Sequence, residues 1–287
     1  MRTLWVTIKL ACLAVFFLTT ARDSCAQIDT LFWFVAPEVT KDHHTSGTVG
    51  GEPIKFVFTS MEEEATVTVS MPQNTAGFPD TVITVPAGQT VVWDLTHRID
   101  QVENFYNYAN ASLGNRTNRG IKISSDEEIT VYYESGQQNN CDLFSLKGQN
   151  ALGTDFFTSF QTRHFNVFGD TWDIPAYSGF DVVFTEDDTY LTIEIPANQT
   201  LYVGPDSYTN TTVTFGPFKA GETFVGVSDW VNDPLSSHSD AVYKGSSDDP
   251  YGRSAADQLA GLRITTNNKK IAITISDDSM KSLSGGC

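Results

Sequence analysis

Residues 119–157 read RGIKISSDEEITVYYESGQQNNCDLFSLKGQNALGTDFF. Ile121 and Ile123, then Ile129, Val131 and Tyr133, stand at alternate positions, the period of a strand with one buried face. Ser125-Asp126-Glu127 interrupts them, so the stretch predicts two short strands around a polar turn. An Asn-rich turn and Cys141-Asp142-Leu143-Phe144 follow. Ala151-Leu152-Gly153 then makes a corner into a new aromatic strand at Asp155-Phe156-Phe157. The first half of this stretch returns near the C-terminus as GLRITTNNKKIAITI from Gly261.

Other blocks return in the same order. IKFVFTSMEEEATVTVSMP from Ile54 matches FDVVFTEDDTYLTIEIP from Phe180, TVITVPAGQTVVW from Thr81 matches TVTFGPFKAGETFVG from Thr212, and DTLFWFVAP from Asp29 resembles TDFFTSFQT from Thr154. Ordered matches at one interval are the signature of a tandem repeat. Between them lie alternating runs and turn signals: the acidic Glu62-Glu63-Glu64 and Glu186-Asp187-Asp188, and Pro86-Ala87-Gly88-Gln89. Only His97–Ala109 and Ser254–Leu259 have room for a helical turn. The predicted fold class is all-β: two tandem antiparallel β-sandwich repeat units with little helix, at residues 28–152 and 153–287. An enclosed barrel satisfies the same pattern. The second unit lacks a counterpart of the Ala151–Gly153 corner, which predicts that it is incomplete at its C-terminal end.

The chain has 287 residues, 18 basic against 35 acidic side chains, and a formal charge of -17. That balance argues against nucleic acid, whose phosphates call for clustered Lys and Arg. Residues 1–26 read as a secretory signal peptide: Arg2 and Lys9 precede an apolar run too short to span a bilayer, and Ser24-Cys25-Ala26 supplies small residues for cleavage. No later stretch reads as a transmembrane segment. Cleavage leaves Cys141 and Cys287, too few cysteines for a disulfide-built scaffold, so each unit must rest on its hydrophobic core. The expected location is secreted, in the extracellular space or on the outer cell surface.

ISSDEEITVYYES, CDLFSLKGQNALGTDFF, AYSGFDVVFTEDDTYLTIEIP and KAGETFVG resemble the repeat of proteins with an IgGFc-binding-protein N-terminal-type domain. They are most similar to repeats in Bacteroidota secreted surface proteins that carry a gliding-motility-associated C-terminal module. The resemblance spans nearly the whole mature chain. It implies a β-rich extracellular repeat protein with no catalytic residues to carry over. No motility module lies within these residues, and no Fc-contacting surface is legible in them.

Candidate chemistry is sparse. His43-His44 beside Asp42 lacks a second, suitably spaced ligand pair for zinc. His97, His164 and His238 are isolated, and HExxH, GxSxG and CxxC are absent, so the chain is read as a non-enzyme with no catalytic residue and no metal site. The acidic turns offer oxygen ligands for calcium but lack the spacing of a dedicated loop, and read first as charged tips that keep sheets soluble. Tyr106 and Tyr108, with Trp172 and Trp230, are candidates for a stacking surface for an extracellular protein or glycan. Asn110, Asn115, Asn198 and Asn210 open N-x-S/T sequons. Cys141 and Cys287 hold equivalent repeat positions and are disulfide candidates, with each other or with cysteines elsewhere. The function expected is adhesion, binding or spacing at the cell surface. The alternatives are a carbohydrate-binding module, with or without calcium, and an accessory domain of a larger secreted enzyme.

Overall fold

In a computed structural model the described residues are 27–37, 53–104, 116–137, 140–160, 165–166, 178–228, 259–277 and 280–281. The first half builds β1 (Ile28–Phe34), β2 (Ala36–Pro37), β3 (Ile54–Ser60), β4 (Ala65–Ser70), β5 (Thr81–Val85), β6 (Thr90–Asp94), β7 (Glu103–Asn104), β8 (Arg116–Thr117), β9 (Ile121–Gln137) and β10 (Asn140–Ser145). The second builds β11 (Asp155–Phe157), β12 (Phe165–Asn166), β13 (Ser178–Phe184), β14 (Thr189–Val203), β15 (Asp206–Phe218), β16 (Thr223–Val227), β17 (Arg263–Thr266), β18 (Ile271–Asp277) and β19 (Met280–Lys281). The fold is all-β, in two curled units. Helix among the described residues amounts to short turns at Thr96–Arg98 and Ile99–Val102, at the start of the stretch with room for one, and at Gly148–Ala151, outside both stretches, where the chain turns into the Ala151–Gly153 corner.

The stretch around Ser125-Asp126-Glu127 is not a hairpin. It is a single strand of 17 residues, β9. Strand β3 lies antiparallel to its C-terminal half, from Ile54 opposite Ser135 to Ser60 opposite Ile129. Strand β4 lies antiparallel to its N-terminal half, from Val67 opposite Ser125 to Ser70 opposite Lys122. Thus β3 and β4 do not pair with each other but follow one another along β9. Strands β5 and β6 repeat this, β5 along β4 and β6 along β3. The polar runs at 61–64, 86–89 and 125–128 are therefore corners at which three neighbouring strands bend together, where the sequence pattern predicts hairpin turns. The cause is length. A straight strand of this size would span about 55 Å at ~3.3 Å per residue, against roughly 30 Å for a small domain. It must fold over the core, and hydrogen-bonded neighbours must bend at the same level.

Inward positions keep one parity through the corner. Ile121, Ile123, Ile129, Val131 and Tyr133 are buried, while Asp126, Glu127 and Glu128 are exposed. Phe34, Phe56, Phe58 and Tyr133 fill the centre, with ring centroids 5.0 Å apart for Phe34–Tyr133 and 5.2 Å for Phe56–Tyr133. One corner carboxylate, Asp126, is hydrogen-bonded to backbone rather than merely solvating. Thr66 N–H donates to Asp126 Oδ1 at 2.6 Å, which holds that carboxyl below its ordinary range. Strand β1 follows β9 past the corner with a bulge between Asp29 and Leu31. Burial works to raise the Asp29 pKa, but donors from Gln149, Thr30 and Leu31 outweigh it and the pKa is lowered.

The second unit uses the same plan. Strand β13 pairs with β18 and β14 with β17, so β13 and β14 follow one another as β3 and β4 do, with a corner at 185–188. Strand β15 runs along β14 and β16 along β13, with a corner at 219–222. The third corner, 267–270, separates β17 from β18. Here Lys270 N–H donates to Glu186 Oε1 at 3.1 Å, and Ala220 N–H to Asp187 Oδ1 at 3.0 Å. These ladders also shift one sequence match: Phe56, opposite Tyr133, takes the place of Phe180, opposite Ile275, two residues from the alignment that starts both blocks at Ile54 and Phe180.

Candidate functional site

A buried apolar cluster and a buried hydrogen-bond cluster lie where the two units meet. Strands β13 and β16 are buried on both faces, as FDVVF and TFVGV, whereas in the first unit β3 alternates between buried and half-buried and β6 between half-buried and exposed. One face of β13 and β16 covers the second core, and the other meets the first unit. Val35, Val183 and Ala272 form a buried cluster there, with Trp33 and Leu152 packed against it. Thr274 Oγ1–H donates to the Val35 carbonyl at 2.9 Å.

A polar cluster sits beside this apolar seam. Asn104 Nδ2–H donates to Asp181 Oδ1 at 2.6 Å, and the Asn104 Oδ1 accepts from Thr117 Oγ1 at 2.6 Å and Thr223 Oγ1 at 3.1 Å. Asn104, Asp181 and Thr223 are all essentially inaccessible to solvent. Strand β8 of the first unit adds to β16 of the second, Thr117 opposite Thr223 and Arg116 opposite Phe224. The Arg116 guanidinium lies 4.3 Å from the centre of the Phe218 ring, 3.7 Å from Glu222, and donates to the Pro217 carbonyl at 2.9 Å.

The 219–222 corner closes the joint against the first unit. Gln73 Nε2–H donates to the Ala220 carbonyl at 2.7 Å, and Gly120 N–H to the Gly221 carbonyl at 3.2 Å. A Cβ on Gly120 would lie 2.6 Å from that carbonyl oxygen and 2.7 Å from Val183 Cγ2, so only glycine lets the two backbones approach. The groups of this cluster are spent on one another across the seam, and what the arrangement does is fix one unit against the other.

The residues singled out from sequence fall elsewhere. Tyr106, Tyr108, Trp172, Trp230 and Cys287 lie outside the described residues, as do His43, His44, His164 and His238. For Cys141 the backbone is described, in β10 opposite Gly136, and its side chain is not. Among the described residues no three His, Cys, Asp or Glu side chains gather as a metal site, and no helix is long and apolar enough to cross a membrane. Asn104, Thr117, Asp181 and Thr223 escaped the sequence reading. The sequence carried little signal for them, since the counterparts of FDVVF and TFVGV, FVFTS and TVVWD, are nearly as apolar, and only the burial of both faces sets β13 and β16 apart. Comparison of the chain with protein-family models, curated proteins and solved structures returned no match.

Proposed function

We propose that the chain is a secreted, non-enzymatic repeat protein of the cell surface, a spacer that carries its loops towards an extracellular protein or glycan. The observation that carries this reading is the joint. Two units of one plan are held together by a buried apolar cluster, a strand pairing and a hydrogen-bond cluster with almost no exposure. That is the construction of a spacer with a set geometry rather than of beads on a flexible linker. The signal-like N-terminus and the resemblance to IgGFc-type repeats support the extracellular setting. At the corners Asp126, Glu186 and Asp187 accept from backbone N–H groups, which supports reading the sheets as a scaffold for loops.

Small-angle scattering tests the spacer geometry. The wild-type chain should give one elongation that holds with temperature up to the unfolding transition, while Asn104→Ala should broaden the distribution of shapes. A wild-type profile that requires freely reorienting units would refute the fixed spacer. Turnover of a glycan or peptide substrate that a single substitution abolishes would refute the non-enzymatic part.

A further inference from the structure

Each half of the joint has a counterpart that the other unit leaves uncovered. The ladders set the equivalences. Trp33 faces Lys122 in the first unit and Phe157 faces Arg263 in the second. Ser70 faces Lys122 and Glu194 faces Arg263, which makes Pro72 and Pro196, each two residues on, equivalent. The cation lies over the ring in both, 5.8 Å for Lys122 on Trp33 and 6.0 Å for Arg263 on Phe157. Gly120 and Gly261 then correspond, each two residues before its cation.

In the first unit these positions form the seat for the 219–222 corner. Trp33 packs on the apolar seam, Gly120 touches Gly221, and a Cβ on Gly221 would stand 3.1 Å from Pro72 Cβ. In the second unit the seat is open. Phe157 is 66% exposed, a Cβ on Gly261 would meet nothing within 4 Å among the described residues, and Phe157, Pro196, Gly261 and Arg263 line a groove of about 730 Å³.

The piece that fits such a seat is also present and uncovered. Pro86-Ala87-Gly88-Gln89 is the first unit's version of the Lys219-Ala220-Gly221-Glu222 corner, and Ala87, Gly88 and Gln89 are exposed. Beyond it, Val92 on β6 corresponds to Val225 on β16, since Val92 faces Val57 and Val225 faces Asp181 at matched ladder positions. Val225, on the strand that carries Thr223 to the joint and clustered with Val227 and Tyr202, is 3% exposed; Val92 is 57% exposed.

We infer that the groove on the second unit is a docking seat for the first unit of a second copy of this chain, entering with its 86–89 corner and β6. Seat and corner lie on different units, so the contact is head-to-tail and extends the internal joint from copy to copy. This deepens the spacer reading by naming a partner, and its test does not depend on the absence of catalysis.

Sedimentation velocity over a concentration series is the test, with two variants at exposed positions: Phe157→Glu in the seat, and Ala87→Arg with Val92→Lys at the corner. Wild type should populate dimers and larger species as concentration rises. Each variant alone should stay monomeric with an unchanged melting temperature. Mixed together they should form a dimer that grows no further, because one intact seat meets one intact corner. The same exchange at the occupied seat, Trp33→Glu, should lower the melting temperature instead. A wild-type chain that stays monomeric at every concentration, or variants whose mixture stays monomeric, overturns the inference. So does an association that both variants leave intact.

Discussion

Substituting Gly120 and Gly261 by alanine separates two roles that one repeat position can play. At Gly120 the backbone torsions are ordinary for any residue, but a Cβ would lie 2.6 Å from a backbone oxygen that the 219–222 corner holds in place. Overpacking of this kind costs about 1–3 kcal/mol, and weakening the Gly120–Gly221 hydrogen bond adds about 1 kcal/mol. A total of roughly 2–4 kcal/mol is expected. At Gly261 space is open among the described residues but φ is +84°, so alanine meets only the left-handed penalty, about 1–2 kcal/mol. Urea unfolding followed by far-UV circular dichroism measures both. Asparagine sharpens the contrast: it tolerates positive φ, so Gly261→Asn should cost less than Gly261→Ala, while Gly120→Asn should cost more than Gly120→Ala. If Gly120→Ala proves no more damaging than Gly261→Ala, the units do not close on each other as described.

Two further outcomes follow from single side chains. Tyr133 is fully buried with no hydrogen-bond partner for its hydroxyl among the described residues, and burial drives its pKa well up. Tyr133→Phe should therefore stabilise the chain by about 1 kcal/mol, and a lowered melting temperature would contradict that environment. The Lys270 N–H, with help from the Lys269 ammonium, holds the Glu186 carboxyl below its ordinary range. A carboxylate with a depressed folded pKa stabilises above its unfolded value, and loses that contribution as pH falls through the folded one. Glu186→Gln should melt below wild type at neutral pH and converge with it in acid. A gap that stays constant with pH would show that Glu186 does not act through its charge.

How much was legible depends on which contacts set each feature. Alternation at Ile54–Phe58, Val67–Met71 and Ile129–Tyr133 reports one buried face, a local property of the chain, and it marks the strands where they lie. Whether a polar run between two such strands is a hairpin turn or a corner is not local. Glu62–Glu64 and Ser125–Glu128 look alike in both cases, and only the register of β3 and β4 along β9 distinguishes them. The aromatic candidates at 106, 108, 172 and 230 were chosen for residue type, whereas the joint was built by Asn104, Thr117, Asp181 and Thr223, ordinary polar residues until two units meet.

The amino-acid sequence by itself determined that this is an all-β chain of two repeated units, because hydrophobic period and the order of matched blocks are written along the backbone. Tertiary structure alone decided that β9 is one strand folded over a core, since its length exceeds the core it covers. Tertiary structure also decided that Gly120 and Gly261, equivalent in the repeat, differ in surroundings. One faces the backbone of a neighbouring unit, and the other opens onto a groove among the described residues.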